Sequence, residues 1–287
     1  MINRLNNLIY SLFKFADKLP KVRKKTLFSD EIEARPLVIL ITAFNNQKYA
    51  KNCLISALNQ KYGNFEIIYV DDASTDGSDK IAMHTLKNTK NAQLILNQER
   101  VGKLSNLYRE IHKLENNSII IELDGDDYLI DDQVLNNFNH AYQKNNCLAV
   151  HANYINYPTE LAKKQNIGHF SQETPFFVKK NRNFRNYPWI YSGLRSYKAE
   201  LFKKIKKEDL LSRFEPYKDK FLPVFHDAAI FYPIAEMSGE KIGYIKEPMI
   251  LRNIDSDIND FKIYDDKIKK LAREQVLSSH KYARIGS

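Results

Sequence analysis

The sequence predicts an α/β fold, with a mostly parallel central sheet flanked by helices. Two observations predict it. Short apolar runs alternate with helical stretches through residues 36–154, the pattern of βαβ units covered on both faces. Acidic residues then fall at or just past the ends of those runs, where such sheets bind ligands. A chain of 287 residues, 43% of them hydrophobic, can bury one large domain.

Taken in order, "PLVILITAF" (36–44) reads as a buried strand and "NQKYAKNCLISALNQ" (46–60) as an amphipathic helix. "FEIIYVDDAS" (65–74) is a second strand ending in two acids. A helix over 75–88 follows, opened by the good starters Thr75 and Asp76. "AQLILN" (92–97) is a third strand, and 102–116 a helix. "SIIIELD" (118–124) is a fourth strand and 131–145 a helix, with Asp131 or Asp132 placed to cap it. "CLAVHANY" (147–154) is a fifth strand. Periodicity fades over 155–185, a length of irregular chain that often serves as a lid or binding loop. Order resumes over 187–205 as strand then helix, and 225–239 reads as a buried helix stopped by Gly239. Two short strands, "KIGYI" and "EPMILRN", lead to a charged C-terminal helix.

The net charge of +9 is uneven: seven basic residues against Asp17 put +6 of it in residues 1–25. A nucleic-acid footprint would spread over the folded body, so no nucleic-acid partner is expected. The segment 1–25 carries apolar residues at helical spacing, too interrupted by Asn, Lys and Arg to span a bilayer. It reads as an amphipathic helix on an anionic membrane surface, or as one packed on its own domain or on another subunit. Cys53 and Cys147 sit in apolar segments without a CxxC, so neither a disulfide scaffold nor a zinc site is expected. A reducing, cytoplasmic setting fits, peripheral at the membrane face if the helix binds there.

The densest acidic cluster is "LDGDD", where Asp124, Asp126 and Asp127 follow a buried strand. Three carboxylates this close repel one another unless a cation joins them. Hard oxygen ligands suit Mg²⁺ or Mn²⁺ shared with a substrate phosphate. Gly125 permits a tight turn between them. No P-loop, no GxGxxG after the first strand and no GxSxG is present.

With those residues in view, the sequence resembles the inverting family 2 glycosyltransferases of the GT-A fold over about 36–255. "TAFNN", "VDDASTDGS", "NQERVGKLSNLYREI" and "LDGDD" are similar to that family's motifs, in its order. The resemblance implies a domain over 31–255 with a Rossmann-like nucleotide half (36–154) and an acceptor-side half (155–255); the 1–30 amphipathic segment and a 256–287 helical extension flank it. It implies a UDP-sugar donor, Mn²⁺ or Mg²⁺ as cofactor, and a glycan, lipid-linked or protein acceptor. Thr42, Ala43 and Phe44 would line the base pocket, Phe44 by stacking. Asp72 would accept from a uracil N–H, with Asp71 more structural and Lys103 near the nucleotide. Asp124 and Gly125 would approach the ribose or sugar. Asp126 would ligate the metal with Asp127 in support. The family's general base is an acid at a later helix start, which maps to Asp227, preceded here by His226 in place of the usual acid. Trp189, Arg195, His226 and Arg252 are candidate acceptor or phosphate contacts. The alternatives are a sugar-nucleotidyltransferase, for which the loop after the first strand lacks the basic, glycine-rich character, and a binding module that has lost catalysis. An oligomer is compatible with either.

Overall fold

The computed structural model describes residues 33–258 and 260–285. The expected helix over 1–25 lies outside the described residues. Eight strands form one sheet: β1 (Leu37–Ala43), β2 (Phe65–Asp71), β3 (Ala92–Leu96), β4 (Ile119–Asp124), β5 (Tyr128–Leu129), β6 (Ala149–Tyr157), β7 (Arg195–Lys198) and β8 (Ile242–Asn253). Their order is β3-β2-β1-β4-β7-β6-β8-β5. β1 pairs in parallel with both β2 and β4, and β2 with β3. β7 runs antiparallel between β4 and β6, and β8 returns parallel to β6. β1 is buried along all seven residues, as a central parallel strand covered on both faces must be.

The register decides where the acids meet. Thr42 lies opposite Asp124 on β4 and Val70 on β2, and Ala43 lies opposite Asp71. The chain leaves β1 toward β2 on one side, while β4 lies on the other. The carboxyl ends of these strands therefore open one crevice at a topological switch point.

Several elements differ from the sequence expectation for local reasons. The helix expected from Thr75 runs Ser78–Leu86. The Asp76 carboxylate accepts from Ser78 N (2.9 Å) and from Gln47 N (2.8 Å), so it holds a turn that joins two helices. Asp131 does act before the helix Val134–Lys144, accepting from Gln133 N at 2.8 Å. The segment 155–185 is not structureless: β6 runs to Tyr157, and short helices cover Thr159–Lys164 and Phe176–Asn181. The two expected strands near the C-terminus are one, β8, whose register against β6 shifts between Ala152 and Tyr154 and sets Lys246 and Glu247 out in solvent.

The helix Asp266–Ser278 is part of the main core rather than an appendage on it. Ile268, Ala272, Val276 and Tyr282 belong to the same apolar cluster as Phe231 and Ile234 of the helix His226–Ser238. Polar contacts fasten it there. Arg185, at the end of the segment 155–185, pairs with Glu236 (Nε to Oε1, 2.7 Å) and donates to the carbonyls of Val276 and His280. Glu236 also accepts from Tyr282 N at 3.0 Å. Glu236 is buried and Arg185 is mostly so, so removing one leaves a poorly compensated charge. Glu236→Ala should cost about 3–5 kcal/mol in urea unfolding, and Arg185→Met with Glu236→Met should recover most of it.

Candidate active site

One cavity of about 790 Å³ opens at the switch point. The fourteen residues named from sequence all border it: Thr42, Ala43, Phe44, Asp72, Lys103, Asp124, Gly125, Asp126, Asp127, Trp189, Arg195, His226, Asp227 and Arg252. They reach it from different elements, and they do not all face it in the same way.

On the β1–β2 side, Thr42 and Ala43 are buried and Phe44 is half-buried. The guanidinium of Arg100 lies 4.0 Å from the Phe44 ring centroid, a cation–π contact over one face of the ring. Asp72 is turned toward the chain itself. Its Oδ1 accepts from Asn97 Nδ2 (2.8 Å) and Val101 N (3.0 Å), and its Oδ2 from Gly102 N (2.8 Å). Gly102 has φ +89°, a conformation costly for other residues. The carboxylate thus shapes the loop that starts the helix Lys103–Ile111 and aims Lys103 into the cavity. Asp71 accepts from Ser74 N at 2.8 Å, and burial raises its carboxyl above the ordinary value.

Lys103 is the hub. Its Nζ lies 2.6 Å from Asp124 Oδ1 and 3.2 Å from Asp227 Oδ1. Burial opposes its charge, but Asp124 and Asp227 outweigh that and hold the ammonium protonated. Asp227 sits in the first turn of His226–Ser238, a helix in which every other residue is buried. It follows Phe225, whose φ of +64° is unusual for an aromatic residue and turns the helix start toward the cavity. Arg195 Nη2 is 2.8 Å from Asp227 Oδ1. Burial alone would raise the Asp227 carboxyl; Arg195 and Lys103 together overcome it and hold it well below the usual carboxylate range.

Behind Arg195 lies Glu122, which sequence reasoning passed over. It is buried on β4, with Arg195 at 3.6 Å and the Tyr197 hydroxyl donating to its other oxygen. Burial raises its carboxyl, with Arg195 and then Lys103 opposing. An acid inside the apolar run "SIIIELD" was the available signal, because a charge in a buried strand demands a partner. Arg195 is spent on these two acids and on the carbonyls of Tyr191 (3.0 Å) and Gly193 (3.4 Å).

The remaining acids lie under the turn after β4. Asp127 is buried and accepts from Asn253 N at 2.7 Å; Asp126 is 3.4 Å from Asn253 Nδ2. Burial first, then Asp124, pushes Asp126 up to about 6. Burial and the charges of Asp126 and Asp124 raise Asp127 further. Among the described residues no cluster of three or more His, Cys, Asp or Glu forms a metal cage. The donor set fits a hard cation whose other ligands come from a diphosphate and water, with Asp126 and Asp124 at hand and Asp127 tied to the backbone. Gly125 is needed for space: a Cβ there would fall 2.7 Å from Ala43 Cβ and 2.6 Å from Asn46 Nδ2. That differs from the expected turn requirement, since its φ is not positive.

On the far side, Trp189 Nε1 donates to Ser192 Oγ (2.9 Å), and its ring stands edge-on to Tyr191 and Tyr232. His226 is buried. The Arg252 guanidinium lies 5.4 Å from the Tyr154 ring centroid.

The family model described as glycosyl transferase family 2 matches residues 38–206. The chain belongs to this family. Residues 38–206 are thus a family 2 glycosyltransferase domain. The chain is 30% identical over 120 residues to a glycosyltransferase of Haemophilus influenzae described as uncharacterized, covering 42% of this chain and 47% of that one. It is 33% identical over 114 residues to the chondroitin synthase of Escherichia coli, covering 39% of this chain and 16% of that one. The matched region thus spans less than half the length of these curated relatives. Among solved structures it is similar to S. aureus TarS 1–349 in complex with UDP-GlcNAc, with a TM-score of 0.62 at 16% identity, over 85% of this chain and 67% of that one. Glucosyl-3-phosphoglycerate synthase of Mycobacterium tuberculosis, in complex with Mn²⁺, UDP and glucosyl-3-phosphoglycerate, matches with a TM-score of 0.53 at 13% identity, over 85% and 79%. At such identities these likenesses speak to the fold.

Two expectations follow from the packing and charge of the family's acidic motif. Gly125→Ala should lower stability by about 1–3 kcal/mol in chemical unfolding, because β1 backbone lies in the way. A carboxyl raised by folding stabilises most below its ordinary value, and that stability is lost as pH rises through about 6. A cation held at Asp126 would reverse this, so any rise in melting temperature with Mn²⁺ and UDP should grow between about pH 5 and pH 8 and be lost in Asp126→Asn.

Proposed function

We propose that this glycosyltransferase moves one sugar from a UDP-sugar, with inversion, to a hydroxyl of a glycan, lipid-linked or protein acceptor, in making a cell-surface polysaccharide or glycolipid. The observation that carries the reading is the Lys103 ammonium held between Asp124 and Asp227. It sets an acid on the nucleotide side and an acid on the acceptor side a lysine's width apart, as a displacement at one carbon requires.

In this reading the nucleotide lies over Thr42, Ala43 and Phe44, with Arg100 closing on the base. Its diphosphate approaches Lys103 and Arg252. Asp124 and Asp126 would hold Mn²⁺ or Mg²⁺, and such an ion neutralises a leaving diphosphate. Asp227 takes the proton of the acceptor hydroxyl. The acceptor oxygen forms its bond to the anomeric carbon from the face opposite the diphosphate. The bond from that carbon to the diphosphate oxygen breaks, and UDP leaves with the electron pair. Arg195 keeps Asp227 on that axis, and Trp189 offers an aromatic edge to the acceptor. Work at the cytoplasmic face of a membrane would suit a lipid-linked acceptor.

A screen of UDP-, GDP- and CMP-sugars with Mn²⁺, read by nucleotide release, tests the donor; release from UDP-sugars is expected. Asp227→Asn should lower transfer about 10²–10⁴-fold while leaving UDP affinity nearly unchanged. Transfer at the normal rate in Asp227→Asn removes the base assignment. Pyrophosphate release from UTP and a sugar phosphate would instead indicate a nucleotidyltransferase. UDP binding without release from any donor would indicate a binding module.

A further inference from the structure

Six large apolar side chains are strongly exposed among the described residues, and three of them lie close together in sequence: Phe170, Phe176 and Phe177, at 55%, 67% and 57% exposure. Single exposed apolar residues are ordinary, but a cluster of phenylalanines is not. Two of them are placed at the rim of the active-site cavity. Phe170 borders the cavity. The ring of Phe177 stands 6.1 Å from that of Tyr187, which borders it too. Phe176 and Phe177 lie outside the cavity lining, so a sugar held within does not use them.

The helix that carries two of the rings also carries the half-buried Lys179 and the exposed Lys180. Phe176 and Lys180 are one turn apart on the helix Phe176–Asn181 and share a face. The acids of 160–187 are Glu160 and Glu173, and each is engaged by a lysine, Lys163 at 2.9 Å and Lys179 at 3.5 Å. Aromatic rings beside cationic side chains match the chemistry of a lipid interface: the rings enter among the headgroups while the ammonium groups meet anionic ones. A second copy of this chain fits less well, because the same lysines would face one another across the contact.

We propose that the rim formed by Phe170, Phe176, Phe177 and Lys180 seats on an anionic lipid surface, with the cavity mouth turned toward it. The surface is distinct from residues 1–25. It extends the reading of a lipid-linked acceptor, since it would bring such an acceptor to the site without its leaving the bilayer, but its test does not use transfer.

The test is flotation of the full chain with vesicles of phosphatidylcholine alone or with about one third phosphatidylglycerol. The full chain should bind the anionic vesicles, less so at high salt. Phe176→Ser with Phe177→Ser should lower the partition coefficient about tenfold, and Lys180→Glu should lower it at low salt. Residues 1–25 are common to all these proteins and cancel in the comparison. UDP release in lipid-free solution should be unchanged in the double variant, which separates failure here from failure of the transferase reading. Equal partitioning of the full chain and the double variant overturns the proposal, as does binding to neither vesicle. A dimer of the full chain in lipid-free solution that the double variant abolishes also overturns it, and assigns the face to a second copy.

Discussion

A single ammonium group organises the crevice. Sheet topology drives acids from β2, β4 and the helix His226–Ser238 to one place, and like charges so gathered repel. Lys103 answers Asp124 and Asp227 at once, 2.6 Å from one and 3.2 Å from the other. Its own position is set by a third acid: Asp72 binds the Val101 and Gly102 amides and fixes the turn from which Lys103 projects. The acids of the site are therefore not interchangeable. One holds the loop, two hold the lysine, and Asp126 and Asp127 have carboxyls raised by burial and by the neighbouring acids.

The second constraint is a line of buried polar groups behind the cavity, Tyr197, Glu122 and Arg195, that ends on the half-exposed Asp227. Burying such groups is costly unless each is matched. Here the matching fixes one arrangement, because Arg195 has two acids and two carbonyls as partners. Asp227 is consequently held by two cations and kept ionised. The strained Phe225 backbone is held by the same packing, since its ring lies against the main core.

Much of residues 36–154 was legible in the sequence. Apolar runs of the right length marked β1 to β4, and the acids that end them could be gathered by the rule that ligands bind at the carboxyl ends of parallel strands. Arg100 was not legible, because a lone arginine in a polar loop has no pattern. Asp72 could be named but not its partners, since two are backbone amides of a loop formed thirty residues later. Segment 155–185 hid its helices because they are only six residues each, too short to show a period. The break between two apparent strands near the C-terminus was a bulge, which in sequence looks the same as a turn.

Local pattern by itself determined the family, the α/β plan, the strand ends and the residue types that line the crevice. It could do so because periodicity and short motifs are properties of neighbouring residues. The tertiary structure alone decided which acid meets which cation. Lys103 and Asp227 are 124 residues apart in the chain, and nothing in their local sequences encodes the contact. It arises when β7 inserts antiparallel between β4 and β6 and the buried helix His226–Ser238 packs behind it. Close packing then leaves Asp227 as the one side chain of that helix that is not buried.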